Sequence, residues 1–218
     1  MTLLASVLVA GGVAASVVTV GAEARGARRA VYLAKPLATA LFLGVALSGA
    51  APPSPAYRLL VSLGILFSLA GDVFLMLPGD RFLPGLASFL VAHVLYVAAF
   101  LGATGAGAPF LAAAAPFALA ATALVAWLWP KLPARLKAPV AVYAAALSTM
   151  AAVALARALA SSGPGAWGAA TGALVFVVSD ALLAADRFRG PIPFARPAVL
   201  ATYYAAQLAI ALSVTVPR

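Results

Sequence analysis

Two aspartates, Asp72 and Asp180, sit inside long apolar stretches of a chain with only five acidic residues, and each follows a glycine by eight positions. The stretches read Gly64-Ile-Leu-Phe-Ser-Leu-Ala-Gly-Asp72-Val-Phe-Leu-Met76 and Gly172-Ala-Leu-Val-Phe-Val-Val-Ser-Asp180-Ala-Leu-Leu-Ala184. An ionisable group at bilayer depth costs ~2.5–3.5 kcal/mol on insertion scales and faces a protein interior rather than lipid. Of two carboxyls sharing a low-dielectric pocket, one holds the proton that the other lacks. Such a pair suits acid-base hydrolysis of a lipid.

The other strongly polar groups in apolar sequence are few: Lys35, the single histidine His93, and Gln207. Tyr96 lies one turn after His93, and Tyr203 and Tyr204 lie one turn before Gln207. Each has a structural reading too. Lys35 can snorkel to the interface, and the aspartates can bond Lys35, Ser68 or Ser179 as ties between helices. His93 can be a satisfied core histidine, and Gln207 with its tyrosines can be packing. Convergence of nearly all the membrane-embedded polar groups favours one shared site. Absences narrow its chemistry. There is no Gly-x-Ser-x-Gly elbow, no cysteine, and one histidine, which rules out a three-histidine zinc site. The Gly-x-Gly-Asp pattern of presenilin-type proteases is not met before Asp72.

The elements that must position these groups follow from composition. At 65% hydrophobic and 9% charged over 218 residues, with a mean hydropathy of +1.10, the sequence is that of an integral membrane protein; soluble domains are ~25% charged. A spanning helix needs ~20 apolar residues. Charged and Pro/Gly-rich breaks divide the chain into eight such segments, near 2–22, 29–49, 57–77, 82–103, 107–129, 136–158, 165–186 and 197–216. Continuous Ala/Leu/Val runs lack the alternation of a membrane β-barrel. The expected fold is therefore all-α, a polytopic bundle of eight transmembrane helices forming one domain over residues 1–218. The first segment reads as a retained span rather than a cleaved signal. The connections 78–81 and 104–107 are too short to hold a separate domain.

Lys and Arg are retained on the cytoplasmic side. Arg25, Arg28, Arg29, Arg81, Lys131, Arg135, Lys137, Arg187, Arg189 and Arg196 cluster on connections one, three, five and seven, against Arg58, Arg157 and Arg218 opposite. Both termini are thus expected outside the cytoplasm. The net charge of +9 reflects this asymmetry and contact with anionic headgroups, not a nucleic-acid stripe. Glu23, Asp80 and Asp186 read as rim charges beside Arg25, Arg81 and Arg187. Segments three and seven run the same way, so the matching Gly-x7-Asp blocks suggest a parallel duplication of four plus four helices, about 1–105 and 106–218. By ~1.5 Å rise per residue, Lys35, Asp72 and Asp180 share a layer roughly 8–10 Å below the cytoplasmic surface, with His93 and Gln207 nearer the midplane. Lys35, Asp72, His93, Asp180 and Gln207 are expected to line one cavity that is polar at a cytoplasmic mouth and apolar at its deep end.

Lys35-Pro36-Leu37, the block Phe67-Ser-Leu-Ala-Gly-Asp72-Val-Phe-Leu-Met76, Gly85 with Phe89, His93 and Tyr96, Ser179-Asp180, and Tyr203/Tyr204 before Gln207 together resemble the YhhN-like lysoplasmalogenase family, in order over nearly the whole chain. The resemblance implies an eight-helix hydrolase of the cell membrane, expected to be a bacterial cytoplasmic membrane, that cleaves the vinyl ether of lysoplasmalogens to a fatty aldehyde and a glycerophospho-base. It also implies Asp72 and Asp180 as the catalytic pair. Lys35, His93, Tyr96, Ser179, Tyr203 and Gln207 are the expected substrate-contacting residues, the partner is a lysophospholipid within the bilayer, and no metal or cofactor is required. Vinyl-ether hydrolysis fits two carboxyls: one protonates the alkene carbon, and the other stabilises the cation and orients water. A proton-coupled transporter using Asp72, Asp180 and His93 as a relay is the competing class, and a lipid-binding bundle without chemistry is a third.

Overall fold

A computed structural model of the chain describes residues 2–49, 52–103, 108–161 and 163–215; the connection at 104–107 and Arg218 lie outside them. Eight helices follow in order: α1 (Leu3–Ala24), α2 (Arg28–Ser48), α3 (Pro55–Met76), α4 (Phe82–Ala103), α5 (Ala108–Leu128), α6 (Ala134–Ser161), α7 (Pro164–Phe188) and α8 (Ala195–Leu212), with a single 3₁₀ turn between α5 and α6. The described residues contain no strand. Seven of the helices are long and apolar enough to cross a membrane. The exception is α8, with 18 residues, whose hydropathy is lowered by Arg196, Tyr203, Tyr204 and Gln207. The protein is a polytopic membrane helix bundle.

Helix boundaries follow local chemistry. Thr2 Oγ1 accepts the amide of Ala5 at 3.2 Å and Ser54 Oγ accepts that of Tyr57 at 3.0 Å, each satisfying an otherwise orphaned first-turn donor. Pro55 and Pro164 open α3 and α7, where a missing N–H does no harm. After α3 the chain reverses through Pro78, with Gly79 and Asp80 at φ +92° and +46°.

Consecutive helices pair as α1/α2, α3/α4, α5/α6 and α7/α8, and contacts of α2 with α3, α4 with α6, α6 with α7 and α1 with α8 join the pairs. The least buried of the seven apolar helices is α5, which rests on α6 and only lightly on α7. Without a hydrophobic force between helices in lipid, close approach depends on small residues. The glycines of the Gly-x7-Asp blocks serve that purpose in both halves. Gly64 faces the Tyr96 ring of α4, and a Cβ on Gly172 would lie 2.8 Å from the Ala206 carbonyl oxygen and 2.8 Å from Ile210 Cγ1 on α8. Backbone cannot swing aside as a side chain can. Gly172→Val is therefore expected to destabilise the bundle by about 1–3 kcal/mol, read as a lowered thermal midpoint in detergent; an unchanged midpoint would refute the tight α7–α8 contact.

Candidate active site

On α2, Lys35 and Thr39 are four residues apart and so share a face, which α2 turns toward Asp72 of α3. Asp72 is 2% exposed. Its Oδ2 accepts hydrogen bonds from Thr39 Oγ1 at 2.7 Å and Tyr203 Oη at 2.7 Å, and Lys35 Nζ lies 3.4 Å from Oδ1. All these polar neighbours present hydrogens to the carboxylate. On α8, Tyr203 and Gln207 again stand four apart. Gln207 Nε2 donates to Tyr203 Oη at 3.3 Å, while its Oε1 accepts from Tyr96 Oη at 2.9 Å. One buried network thus runs Lys35–Asp72–Tyr203–Gln207–Tyr96 over α2, α3, α8 and α4.

Asp180 of α7 has different company. Tyr143 of α6 donates to its Oδ2, and His93 Nε2 lies 2.8 Å from Tyr143 Oη and 3.7 Å from the same carboxylate oxygen. Since the tyrosine spends its proton on Asp180, the histidine must donate, which assigns the proton to Nε2. His93 Nδ1 has no hydrogen-bond partner among the described residues. The two networks share an aromatic wall. The Phe176 ring stands edge-on to His93 at 4.8 Å and to Tyr203 at 5.6 Å, and Phe89 meets Tyr203 at 5.8 Å.

Two spaces adjoin these networks. An apolar cavity of about 260 Å³, walled by residues such as Leu86, Phe89, Phe117, Leu124 and Leu147, has Asp180, Tyr143, Ser179 and Tyr203 among its few polar edges. Its outer side is α5. At the basic end of the bundle a charged vestibule of about 1150 Å³ is lined by Glu23, Arg28, Lys35, Asp186, Arg187 and Arg196. Leu75, Phe82, Leu183, Val199 and Leu200 border both spaces, forming the layer between them. Arg187 braces that layer, pairing with Asp80 at 2.6 Å and lying 4.0 Å above the Phe82 ring.

The expectation of one cavity lined by five polar groups is therefore corrected. Asp180 lines the apolar cavity and Lys35 the vestibule, but neither space is lined by Asp72, His93 or Gln207. The last two are completely buried, each bonded to a tyrosine hydroxyl on another helix. Tyr96 is likewise sealed in, while Ser179 edges the cavity with its hydroxyl given to Val199 O at 3.1 Å, tying α7 to α8. The rim carboxylates also choose partners other than their chain neighbours: Asp80 takes Arg187, Glu23 lies 3.8 Å from Arg196, and Asp186 accepts the amide of Ile192 at 2.8 Å. Two residues at the site, Thr39 and Tyr143, are not among the expected ones. Thr39 is legible from its spacing to Lys35; Tyr143 is not, since its partners are fifty and thirty-seven residues away.

The family model described as the YhhN family matches residues 30–214. Among curated proteins, the human lysoplasmalogenase TMEM86B is 38% identical over 162 residues, covering 74% of this chain and 66% of that protein. The bovine lysoplasmalogenase TMEM86A is 35% identical over 162 residues, 72% and 66% of the two chains. A lysoplasmalogenase of Mycobacterium tuberculosis is 36% identical over 130 residues, 57% and 48%. The matched stretch thus spans just under two thirds of the mammalian proteins. No solved structure matches the chain significantly.

Proposed function

This chain belongs to the YhhN family, and from that premise we propose that it is a membrane hydrolase cleaving the vinyl ether of a lysoplasmalogen, or a closely related lysolipid, to a fatty aldehyde and a glycerophospho-base. The observation that carries the reading is a carboxyl group, Asp180, in the wall of an apolar cavity that abuts a charged vestibule. A single-chain amphiphile matches that sequence of surroundings. Its tail takes the apolar cavity, since burying methylenes is worth ~0.8 kcal/mol each, and its phosphate takes the vestibule beside Lys35, Arg28 and Arg196. The vinyl ether, between head and tail, falls at the level of the Leu75/Phe82/Leu183 layer and Asp180.

In the proposed chemistry Asp180 is the acid. Tyr143 holds its Oδ2, leaving Oδ1 to carry a proton to the alkene carbon and give an oxocarbenium ion. Water captures that ion, and Asp72, ringed by donors, is the ultimate acceptor of the water's proton. The hemiacetal collapses to aldehyde and alcohol. We further place the basic end in the cytoplasm by retention of Arg and Lys, with both termini opposite, and read the paired Gly-x7-Asp blocks as a duplication. Multi-pass placement in a cell membrane follows from the same reading.

A proton-coupled transporter would use the same buried groups, but the largely apolar lining of the inner cavity supports lipid rather than ion passage. Purified protein in detergent separates the two, having no membrane to transport across. Incubated with lysoplasmalogen and, separately, with an ester lysophospholipid, it is expected to release fatty aldehyde from the first, detected by mass spectrometry. Fatty acid from the ester without aldehyde from the ether, or no product from either, would overturn the proposal.

A further inference from the structure

Asp72 has a problem of reach. The cavity proposed to hold the vinyl ether is lined by Asp180 and Tyr203 but not by Asp72, which is only 2% exposed and linked to that cavity by the Tyr203 hydroxyl on its Oδ2 at 2.7 Å. Tyr203 is held for a single orientation. Phe89 and Phe176 meet its ring edge-on at 5.8 and 5.6 Å, and Gln207 Nε2 donates to its oxygen at 3.3 Å. Thr39 Oγ1 stands 3.5 Å from that oxygen but gives its own proton to Asp72, so the phenol oxygen, donating once and accepting once, keeps one lone pair for a water entering from the cavity.

Resting on the hydrolase reading, we infer that Tyr203 is a catalytic residue, taking the proton of the attacking water while passing its own hydroxyl proton to Asp72. The cycle then closes without outside help. Asp180 gives its proton to the alkene carbon and becomes a carboxylate. Water adds to the oxocarbenium carbon, one of its protons goes to Tyr203 Oη, and the Tyr203 proton goes to Asp72, which becomes the acid. In the second half the roles reverse. Asp180 removes the hemiacetal hydroxyl proton as the C–O bond to glycerol breaks, and Asp72 returns a proton through Tyr203 to the departing glycerol oxygen. One water is consumed, aldehyde and alcohol leave, and both carboxyls regain their starting states. Asp180 touches the substrate directly, whereas Asp72 acts only through the tyrosine.

The test uses the full-length protein in detergent with 1-alkenyl-glycerophosphocholine, following aldehyde. Tyr203→Phe keeps the ring and removes the relay, so kcat is expected to fall about 10²-fold or more with little change in KM. In an Asp72→Asn background the same change should add almost nothing, because the two act in series. A second variant carrying 2,3-difluorotyrosine in place of Tyr203 keeps the hydroxyl and the ring but changes its proton affinity, so kcat should change by more than about threefold while KM and the thermal midpoint hold. No aldehyde from the unaltered protein overturns the hydrolase reading and the relay together. Aldehyde from the unaltered protein, with kcat of Tyr203→Phe within about threefold of it, overturns the relay alone. Should Tyr203→Phe fail to fold, an unchanged kcat in the fluorinated protein overturns the relay.

Discussion

Asp72→Asn and Asp180→Asn are each expected to lower kcat for aldehyde release by about 10²- to 10⁴-fold while leaving the protein folded and inserted. The substitution preserves volume and one carbonyl oxygen. In Asp72→Asn the amide oxygen can still accept from Thr39 and Tyr203, as the carboxylate Oδ2 does, and in Asp180→Asn it can still accept from Tyr143. What disappears is the exchangeable proton. Because the two carboxyls hand protons to a common intermediate, the double variant should be little slower than either single one. Single-turnover measurements with matched thermal unfolding make the comparison. Near-normal turnover in either single variant would reassign that aspartate to interhelical hydrogen bonding.

Lys35→Met is expected to act on stability as well as activity. Lys35 and Asp72 are 8% and 2% exposed, and removing one member of a buried ion pair leaves the other charge unmatched, at a cost of about 3–5 kcal/mol. Adding Asp72→Asn to Lys35→Met should restore most of that loss, since the neutral amide needs no ammonium and keeps its hydroxyl donors. Activity should stay lost. Chemical unfolding in detergent of the two single variants and the double one closes the cycle. If Lys35→Met is as stable as the parent, the 3.4 Å approach contributes nothing and Lys35 merely snorkels.

The sequence prescribes the bundle far better than the site. Apolar run length and Pro/Gly punctuation place α4 to the residue and most other ends within two or three, because in lipid the backbone has no alternative to helix. The departure at α6 has a visible cause. Apolar run length ends segment six at 158, leaving Arg157 at its edge as a flanking charge, whereas α6 runs on to Ser161. Arg157 is 4% exposed, donates to Tyr57 Oη at 2.8 Å and lies 4.6 Å above that ring. Depth arithmetic puts Lys35 and Asp72 in one layer, and they do pair. Depth says nothing of azimuth, however. Which way His93 and Gln207 turn is decided by Tyr143 and Tyr96 on other helices, contacts no local spacing records. The division into an apolar cavity and a charged vestibule likewise arises from a layer drawn from α3, α4, α7 and α8, and so from tertiary packing alone.

The low hydropathy of α8 has a consequence for biogenesis. Beyond α8 itself, the hydrogen-bond partners of its Tyr203 and Gln207 among the described residues lie on α2, α3 and α4, all of which precede it in the chain. Leaving the translocon alone, α8 would carry those polar groups into hydrocarbon uncompensated. Its entry is therefore coupled to docking on helices already in the membrane. That order delays assembly of the Asp72 network until the eighth helix arrives, so a nascent chain crossing the membrane holds both aspartates without the tyrosine between one of them and the lipid. On the proposed function, hydrolytic competence then appears only with completed insertion, a safeguard set by the order of synthesis.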